Sequence, residues 1–278
     1  MGDAQALDGF LAAHPRAILV RLNGVRGSAP REKGAWMLVA GDAVHGTVGG
    51  GRVELAGIEA ARAMLVSGEA GRRIEITLGP ETGQCCGGRI ALALTCLGAK
   101  ARASLLREVR TEGDARPHVI LLGAGHVGRA LAGLLVQMPV RTVLVDSRAD
   151  QIAQAPAAAE ARLTPLPEAE IRAAPPGSAF VILTHDHGLD FLLAAEALGR
   201  GDAAYVGLIG SQSKRARFLR FLAERGGGPA DGLTCPIGAA GTGDKRPAVI
   251  AAFALAEIMA ALAVRAAGAG IDADRRRA

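Results

Sequence analysis

The chain has 278 residues, of which half are apolar but only 3% are aromatic, and its net charge is +5. This length fits about two domains, and the composition is typical of a globular protein with an aliphatic core. A positive charge suits an anionic ligand, but the scarcity of aromatic residues for base stacking argues against nucleic-acid binding.

The N-terminal segment predicts a cytoplasmic location by default. Residues 1–15 lack a basic start followed by an apolar run, so no secretory signal is predicted. The longest apolar stretch, Val249 to Val264, is interrupted by Glu257 and predicts a buried core helix rather than a membrane span. The four cysteines show no CxxC spacing, which argues against a disulfide framework or a structural zinc site.

Residues 1–112 are predicted to form a small mixed α/β domain. Short apolar segments between glycine turns predict its strands, and small or apolar residues at helical spacing predict its helices. The strands are expected at Ala17–Leu22, Ala35–Val39, Ala43–Val48, Arg73–Leu78 and Ile90–Leu97, and the helices at Val53–Val66 and Ala101–Val109. Polar residues and turn formers at 111–117 predict the domain boundary.

Residues 117–267 are predicted to form a Rossmann-like, doubly wound parallel sheet. Strand and helix patterns alternate there, which requires helices on both faces of the sheet. The strands are expected at Val119–Leu122, Thr142–Val145, Phe180–Leu183 and Val206–Ile209, and the helices at His126–Gln137, Leu189–Leu198, Lys214–Glu224 and Pro247–Arg265. Residues 268–278 are predicted to be a disordered tail.

A glycine loop follows the first strand of this second domain. Gly123, Gly125 and Gly128 have the spacing of a dinucleotide fingerprint, in which helix amides face a phosphate. Asp146, at the end of the next strand, is a candidate acceptor for ribose hydroxyls. The alternative is that the loop is structural and holds no dinucleotide.

Two further segments of the second domain carry polar side chains at strand ends. His185, Asp186, His187 and Asp190 follow a buried strand and are candidates for cofactor contact, metal ligation or proton transfer. The alternative is that Asp190 caps the following helix. Lys214, after the next strand, is a candidate to neutralise a phosphate.

The first domain contributes its own candidate site residues. Gly49, Gly50 and Gly51 precede a helix and are expected to present unpaired amides to an anion, with Arg31 facing the same space. The alternative is a tight strand-to-helix turn. Cys86, followed by two glycines, is a candidate thiolate for a soft metal or for sulfur, and a buried apolar cysteine is the alternative. Cys96 is predicted to lie in the core.

Taken together, the motifs resemble the xanthine dehydrogenase accessory family, XdhC, over most of the chain. The segments that carry the resemblance are Gly27–Arg31, Gly49–Glu54, Cys86–Gly88, Gly123–Val127, Asp146–Arg148, Thr184–His187, Tyr205–Ser211 and Pro236–Gly238. The resemblance implies a non-enzymatic maturation factor that binds molybdenum cofactor, with Cys86 as the candidate molybdenum contact.

The partners follow from the same resemblance, whereas the rival oxidoreductase function rests on the glycine loop, Asp146 and the nearby histidines. The resemblance implies that the protein supports sulfuration of the cofactor by a cysteine desulfurase, inserts it into the molybdenum-binding subunit of xanthine dehydrogenase, and forms a homodimer. A nucleotide is the alternative occupant of the Rossmann site. The rival functions are an NAD-dependent oxidoreductase and a docking protein that holds no cofactor.

Overall fold

The chain forms two compact units, Met1–Asp114 and Ala115–Ala278, and each has its own sheet and core. The computed structural model describes residues 2–27, 31–78, 88–228, 230–239 and 243–275.

The first unit is a five-stranded antiparallel sheet with helices on both faces. Its elements are α1 (Gly2–Ala13), β1 (Ile18–Arg26), β2 (Trp36–Val39), β3 (Val44–Gly46), α2 (Gly51–Ser67), β4 (Gly71–Thr77), β5 (Arg89–Cys96) and α3 (Ala99–Asp114). The strand order is β3-β2-β1-β5-β4, and each neighbouring pair is antiparallel. Helix α1 was not predicted from the sequence.

Alternating residues of the central strand β1 pack into two separate cores, as the pleat of a strand requires. Val20 packs with α2 on one face, and Leu19 packs with α1 and α3 on the other.

Two arginine side chains connect α3 to the sheet and to the end of α1. The guanidinium of Arg21 donates to both carboxylate oxygens of Glu108 in α3, at 2.8 and 2.9 Å. Arg102 donates to backbone carbonyls at the end of α1 and just beyond it. These arginines therefore serve the fold.

The second unit is a six-stranded parallel sheet, which confirms the Rossmann-like prediction. Its elements are β6 (His118–Leu122), α4 (His126–Leu135), β7 (Arg141–Asp146), α5 (Ala149–Ile152), β8 (Glu160–Leu163), α6 (Pro167–Ala173), β9 (Ala179–Ile182), α7 (His187–Gly199), β10 (Tyr205–Leu208), α8 (Gln212–Glu224), β11 (Leu233–Thr234) and α9 (Pro247–Arg275). Helices α4 and α9 cover one face, and α6, α7 and α8 cover the other.

The strand order β11-β10-β9-β6-β7-β8 places the chain reversal between β6 and β9. From β6 the chain builds outward through β7 and β8, then crosses back to β9 on the other side. Open parallel sheets bind ligands in the crevice outside the carboxyl ends of the two strands at such a reversal. The glycine loop follows β6, and the His185 segment follows β9, so both candidate segments lie at this crevice.

The last helix, α9, packs along one face of this sheet. Its residues Ala251, Ala254 and Ile258 are fully buried in the core that α4 shares. By length and composition, Pro247–Gly268 would also be able to cross a membrane. Glu257 interrupts this apolar stretch, as noted from the sequence, and accepts hydrogen bonds from the hydroxyl of Tyr205 and the amide of Gly238. One side of α9 therefore belongs to the core of the second unit, while only 22% of its most apolar window is buried.

The prediction of a disordered tail is wrong for residues 268–275. Helix α9 continues to Arg275, well past residue 268, where the tail was expected to begin. Segment 265–275 contains several alanines, which favour continuation of a helix, and its glycines do not end it.

Candidate functional site

Two glycines of the loop between β6 and α4 are required by the protein's own packing. Gly123 has φ of +128°, and a Cβ there would lie 2.3 Å from the carbonyl oxygen of Leu183. A Cβ on Gly128 would lie 2.0 Å from the carbonyl oxygen of Gly123. The backbone of the glycine loop therefore lies directly against the end of β9 at Gly123, and against the first turn of α4 at Gly128, with no room for a side chain at either position. The predicted loop is therefore built as a tight turn.

Gly125 is different, because nothing in the described structure requires glycine there. Its φ of −66° and ψ of −174° are accessible to any residue, and an added Cβ would meet no atom within 4 Å. In dinucleotide-binding loops, the glycine at this position lets a phosphate approach the backbone closely. The open space beside Gly125 is the part of the loop that fits a ligand phosphate.

The amino terminus of α4 is left open, unlike those of α7 and α8. Among the described residues, no side chain caps α4 at Gly125. In α7, Asp186 accepts from the amides of Gly188 and Leu189, and in α8, Ser211 accepts from an amide of the first turn. Unsatisfied amides and the positive end of the helix dipole attract an anion. Of the helices that follow β6, β9 and β10, α4 therefore offers the open terminus. The shorter helices α5 and α6, after β7 and β8, also begin without a side-chain cap.

Asp186 is thus the helix cap, a role that the sequence analysis gave to Asp190, and the cofactor contact predicted for Asp186 stays a prediction. The carboxylate of Asp186 lies 2.6 Å from the amide of Gly188 and 3.0 Å from that of Leu189. Hydrogen bonds from the Leu189 and Gly188 amides lower the pKa of Asp186. The side chain is consequently engaged within its own helix.

Asp146 holds the glycine loop through its own hydrogen bonds, and its predicted role as a ribose acceptor stays a prediction. One carboxylate oxygen accepts from the amide of Ala124 at 2.7 Å and from the Arg148 guanidinium at 2.8 Å. The other accepts from the amide and from Nε of Arg148, at 3.0 and 2.9 Å. Because both oxygens are engaged, a ribose hydroxyl would have to displace one of these donors.

The electrostatics of Asp146 agree with this geometry. Burial by itself would raise the pKa of the carboxyl group. The hydrogen bonds from the Arg148 guanidinium and from the amides of Ala124 and Arg148 outweigh that effect and lower the pKa to about 2. Asp146 is therefore ionised at neutral pH and stabilises the loop as a buried anion.

The residue that sequence reasoning missed here is Arg148, although it lies only two positions after Asp146. Its side chain is about a third exposed. A second arginine, Arg129 in α4, donates to the carbonyl of Ala124 and to the side chain of Gln151. Asp146 and Arg129 thus bind the amide and the carbonyl of Ala124, and Arg148 in turn holds Asp146. Only the loop spacing was readable from the sequence, since hydrogen-bond partners depend on side-chain direction.

A buried ion pair supports the neighbouring segment after β9. The amine of Lys214 in α8 contacts the carboxylate of Asp190 in α7, and both residues are buried. The other carboxylate oxygen of Asp190 accepts from the amide and the hydroxyl of Thr184, at 3.0 and 2.7 Å. Lys214 was predicted as a candidate for neutralising a phosphate, and this pairing corrects that assignment. The pair joins the segments that follow β9 and β10.

The two histidines of this segment, His185 and His187, are exposed. Within the described ranges, no group of three or more His, Cys, Asp or Glu side chains is arranged to hold a metal ion. The cofactor contact predicted for His185 stays a prediction.

The triple-glycine segment of the first unit is a built anion nest that the protein fills itself. Gly49, Gly50 and Gly51 all have positive φ, at 128°, 74° and 61°. The carboxylate of Glu54 accepts from the amides of Val48 and Gly50, at 3.3 and 3.2 Å, and from the hydroxyl of Thr47. The expectation that these amides are unpaired is therefore wrong for Gly50, which donates to Glu54, and for Gly49, which donates to the hydroxyl of Thr47 at 3.1 Å.

Of the remaining candidate residues in the first unit, Arg31 and Cys96 lie within the described part of the chain and Cys86 does not. Arg31 is exposed. Cys86 lies outside the described residues, so its predicted contact with molybdenum or sulfur stays a prediction. Cys96 is exposed rather than in the core, which corrects the sequence analysis. Cys235 in the second unit is buried, and burial raises the pKa of its thiol. Burial thus favours the neutral thiol of Cys235 over the thiolate.

Comparison with known families settles which family has this arrangement. A model described as the XdhC Rossmann domain matches residues 119–258, half of the chain. The chain belongs to the XdhC family. A second model, described as the XdhC and CoxI family, matches residues 10–76 in the first unit. Both units of the XdhC-family chain are thus accounted for by family models, in the order predicted from the motifs.

Two individual proteins extend the comparison. An uncharacterised protein of Escherichia coli K12, YqeB, is 26% identical over 250 residues, which are 84% of this XdhC-family chain and 41% of YqeB. The chain therefore spans about two fifths of the length of this curated relative. A crystal structure from Bacillus halodurans, titled a xanthine dehydrogenase, has a TM-score of 0.80 at 19% identity, covering 95% of this chain and 97% of the other. This second likeness shows the fold.

Proposed function

We propose that this XdhC-family protein is a molybdenum cofactor chaperone. It binds the cofactor stoichiometrically, supports its sulfuration by a cysteine desulfurase, and assists its insertion into the molybdenum-binding subunit of xanthine dehydrogenase. The observation that carries the proposal is the uncapped terminus of α4 beside the open space at Gly125, at the reversal point between β6 and β9.

The residues of the glycine loop fit the anionic end of the cofactor. Molybdopterin carries a phosphate group, and the amides after Gly125 lack a side-chain acceptor among the described residues. Gly125 adds no Cβ to the space that a phosphate would enter, while Asp146 and Arg148 hold the loop in place. When bound, the cofactor would supply the molybdenum centre that the client enzyme needs.

Helices α7 and α8, on the other side of the reversal, support placement of the ligand's phosphate at α4. Because Asp186 caps α7 and Ser211 caps α8, neither terminus offers the same unsatisfied amides to a second anion. We therefore expect one phosphate to be held at α4. The exposed His185 is the proposed further contact of the cofactor in the second unit. The contact predicted for Cys86, which lies outside the described residues, stays a prediction.

The test is to incubate the purified protein with released molybdenum cofactor, separate it by gel filtration, and quantify molybdenum and pterin in the protein peak. Near-equal amounts of cofactor and protein are expected. Gly125→Ala is expected to reduce the retained cofactor strongly, since its new Cβ enters the phosphate space. Gly133→Ala is the matched control, because it lies in the same helix and an added Cβ meets only a side-chain atom of Pro156 at 4.0 Å.

The results separate the proposal from its rivals. Absence of both molybdenum and pterin, with the cofactor shown to be intact, would contradict the proposal. Binding to the apo-dehydrogenase without cofactor uptake would instead support a docking protein. Tight binding of NAD in calorimetry, with steady turnover of reduced cofactor, would support an oxidoreductase. That rival is less well supported, because the contacts of Asp146 would have to be broken for it to accept a ribose.

A further inference from the structure

The two edges of the sheet in the first unit differ in length. One edge strand, β3, has only three residues, Val44–Gly46, and the other, β4, has seven, Gly71–Thr77. Among the described residues, β4 pairs with β5 on one side and has no strand on the other. Proteins usually keep open edges short, since unpaired amides and carbonyls recruit another strand. The long edge of β4 therefore needs an explanation.

The register of β4 with β5 decides which backbone groups point to the open side. The amide of Cys96 donates to Ala70, and the amide of Leu78 donates to Gly88. In an antiparallel ladder, hydrogen-bonded and non-hydrogen-bonded pairs alternate. Even-numbered residues of β4 therefore bond to β5. The odd-numbered residues direct their amides and carbonyls to the open edge, and these are Gly71, Arg73, Glu75 and Thr77.

The side chains at this edge are charged in a self-complementary pattern. Arg73 and Glu75 are both exposed, and neither has a hydrogen-bond or ion-pair partner in the part of the chain that the structure describes. On the opposite face, Ile74 and Ile76 are only partly buried against the core of the first unit. The edge thus combines unpaired charges of opposite sign with apolar side chains that are incompletely covered.

We propose that β4 pairs with β4 of a second copy of this chain, antiparallel and with the twofold axis at Ile74. In this register Arg73 lies opposite Glu75 of the second copy, and the reverse pair follows by symmetry. Gly71 lies opposite Thr77, so all four outward-facing residues exchange backbone hydrogen bonds. The two copies of Ile74 meet on the core face, and the two sheets become one continuous sheet.

The neighbouring registers are disfavoured by charge. An axis at Glu75 would place two glutamates opposite each other, and an axis at Arg73 would do the same for two arginines. Like charges directly opposite each other destabilise a strand pair. The register centred on Ile74 has opposite charges in the cross-strand positions and also uses the whole strand.

The experiment measures the mass of the purified chain by size-exclusion chromatography with light scattering over a range of concentrations. The expected mass is twice 28.3 kDa. Arg73→Glu and Glu75→Arg are each expected to weaken dimerisation by about tenfold or more, since two symmetric pairs become repulsive. The double variant Arg73→Glu/Glu75→Arg is expected to restore the dimer. Glu59→Arg and Arg62→Glu, exposed on α2, are the matched controls.

A backbone variant tests the pairing independently of charge. Glu75→Pro removes an amide that faces the open edge and leaves the even-numbered residues that bond to β5 intact. It is expected to give a folded monomer of 28.3 kDa with unchanged circular dichroism. A monomeric wild-type chain at every concentration would overturn the proposal. A dimer that persists in Glu75→Pro, or that the double charge reversal does not restore, would do the same.

Discussion

Lys214 in the first turn of α8 and Asp190 in the first turn of α7 form an ion pair that is almost entirely removed from solvent. The pair also anchors Thr184 at the end of β9 through the other oxygen of Asp190. The segments that border the proposed cofactor site from β9 and β10 are consequently held by one charged contact.

Removing one partner of this pair is expected to be costly. Lys214→Met would leave the buried carboxylate of Asp190 without its counter-charge, so we expect a loss of about 3–5 kcal/mol in the free energy of unfolding. Urea denaturation measures this. The double variant Lys214→Met/Asp190→Asn removes both charges, keeps an acceptor for Thr184, and is expected to recover much of the loss. A single variant as stable as wild type would show that the pair contributes nothing.

The stability contributed by Asp146 should depend on pH in a defined direction. Its pKa is lowered from an ordinary 3.8 to about 2, so the folded state favours the ionised form. The contribution, about 2 kcal/mol, is fully present above pH 4 and is lost as the pH falls towards 2. Asp146→Asn is therefore expected to be less stable than wild type at pH 7, and this difference should shrink between pH 4 and 2. Asp150→Asn, exposed on α5, is the control, and an equal effect there would contradict the assignment.

Glu54 is expected to act as a built-in anion for the triple-glycine nest. Glu54→Ala removes the acceptor of the Val48 and Gly50 amides and should lower the free energy of unfolding by about 1–2 kcal/mol. Sulfate should then raise the melting temperature of Glu54→Ala more than that of wild type, because the ion replaces the carboxylate. Glu59→Ala in the same helix serves as the control. Identical sulfate responses in all three proteins would argue against the nest.

The hydroxyl of Tyr205 is expected to stabilise α9 through Glu257. It donates to the carboxylate at 2.8 Å, and burial together with the negative charge of Glu257 raises its pKa, so it stays protonated. Tyr205→Phe should cost about 1–2 kcal/mol, measured by thermal or urea unfolding. Glu257→Ala should cost more, since it also deprives the Gly238 amide of its acceptor. The reverse order of the two losses would contradict this account.

The sequence predicted the inner strands of the second unit well, because their residues are buried on both faces and read as continuous apolar runs. Strands β6, β7, β9 and β10 all have this pattern. Strand β8 was missed, since it has only four residues that alternate between half-buried and exposed. Strand β11 has only two residues, which are too few to show an alternation of apolar and polar side chains in the sequence. Edge elements of this kind form because the sheet is already present.

The candidate site was predictable in its spacing and not in its contacts. The positions of Gly123, Gly125 and Gly128 in a strand-loop-helix unit are visible in the sequence. The engagement of Asp146 by Arg148 is not, because it depends on the direction of a long side chain. The same holds for Glu54, which reaches one turn back to the Gly50 amide. In both cases a polar group predicted to face a ligand is satisfied within the chain.

The capping pattern at the carboxyl edge of the parallel sheet gives the crevice a polarity. The helices after β9 and β10 carry their own cap residues, Asp186 and Ser211, whereas the helix after β6 begins at an uncapped glycine. At the reversal between β6 and β9, an elongated molecule with one anionic end is therefore expected to place that end at α4 rather than at α7 or α8. A protein that delivers a bound ligand in a fixed orientation would obtain that orientation from the backbone amides at the start of α4.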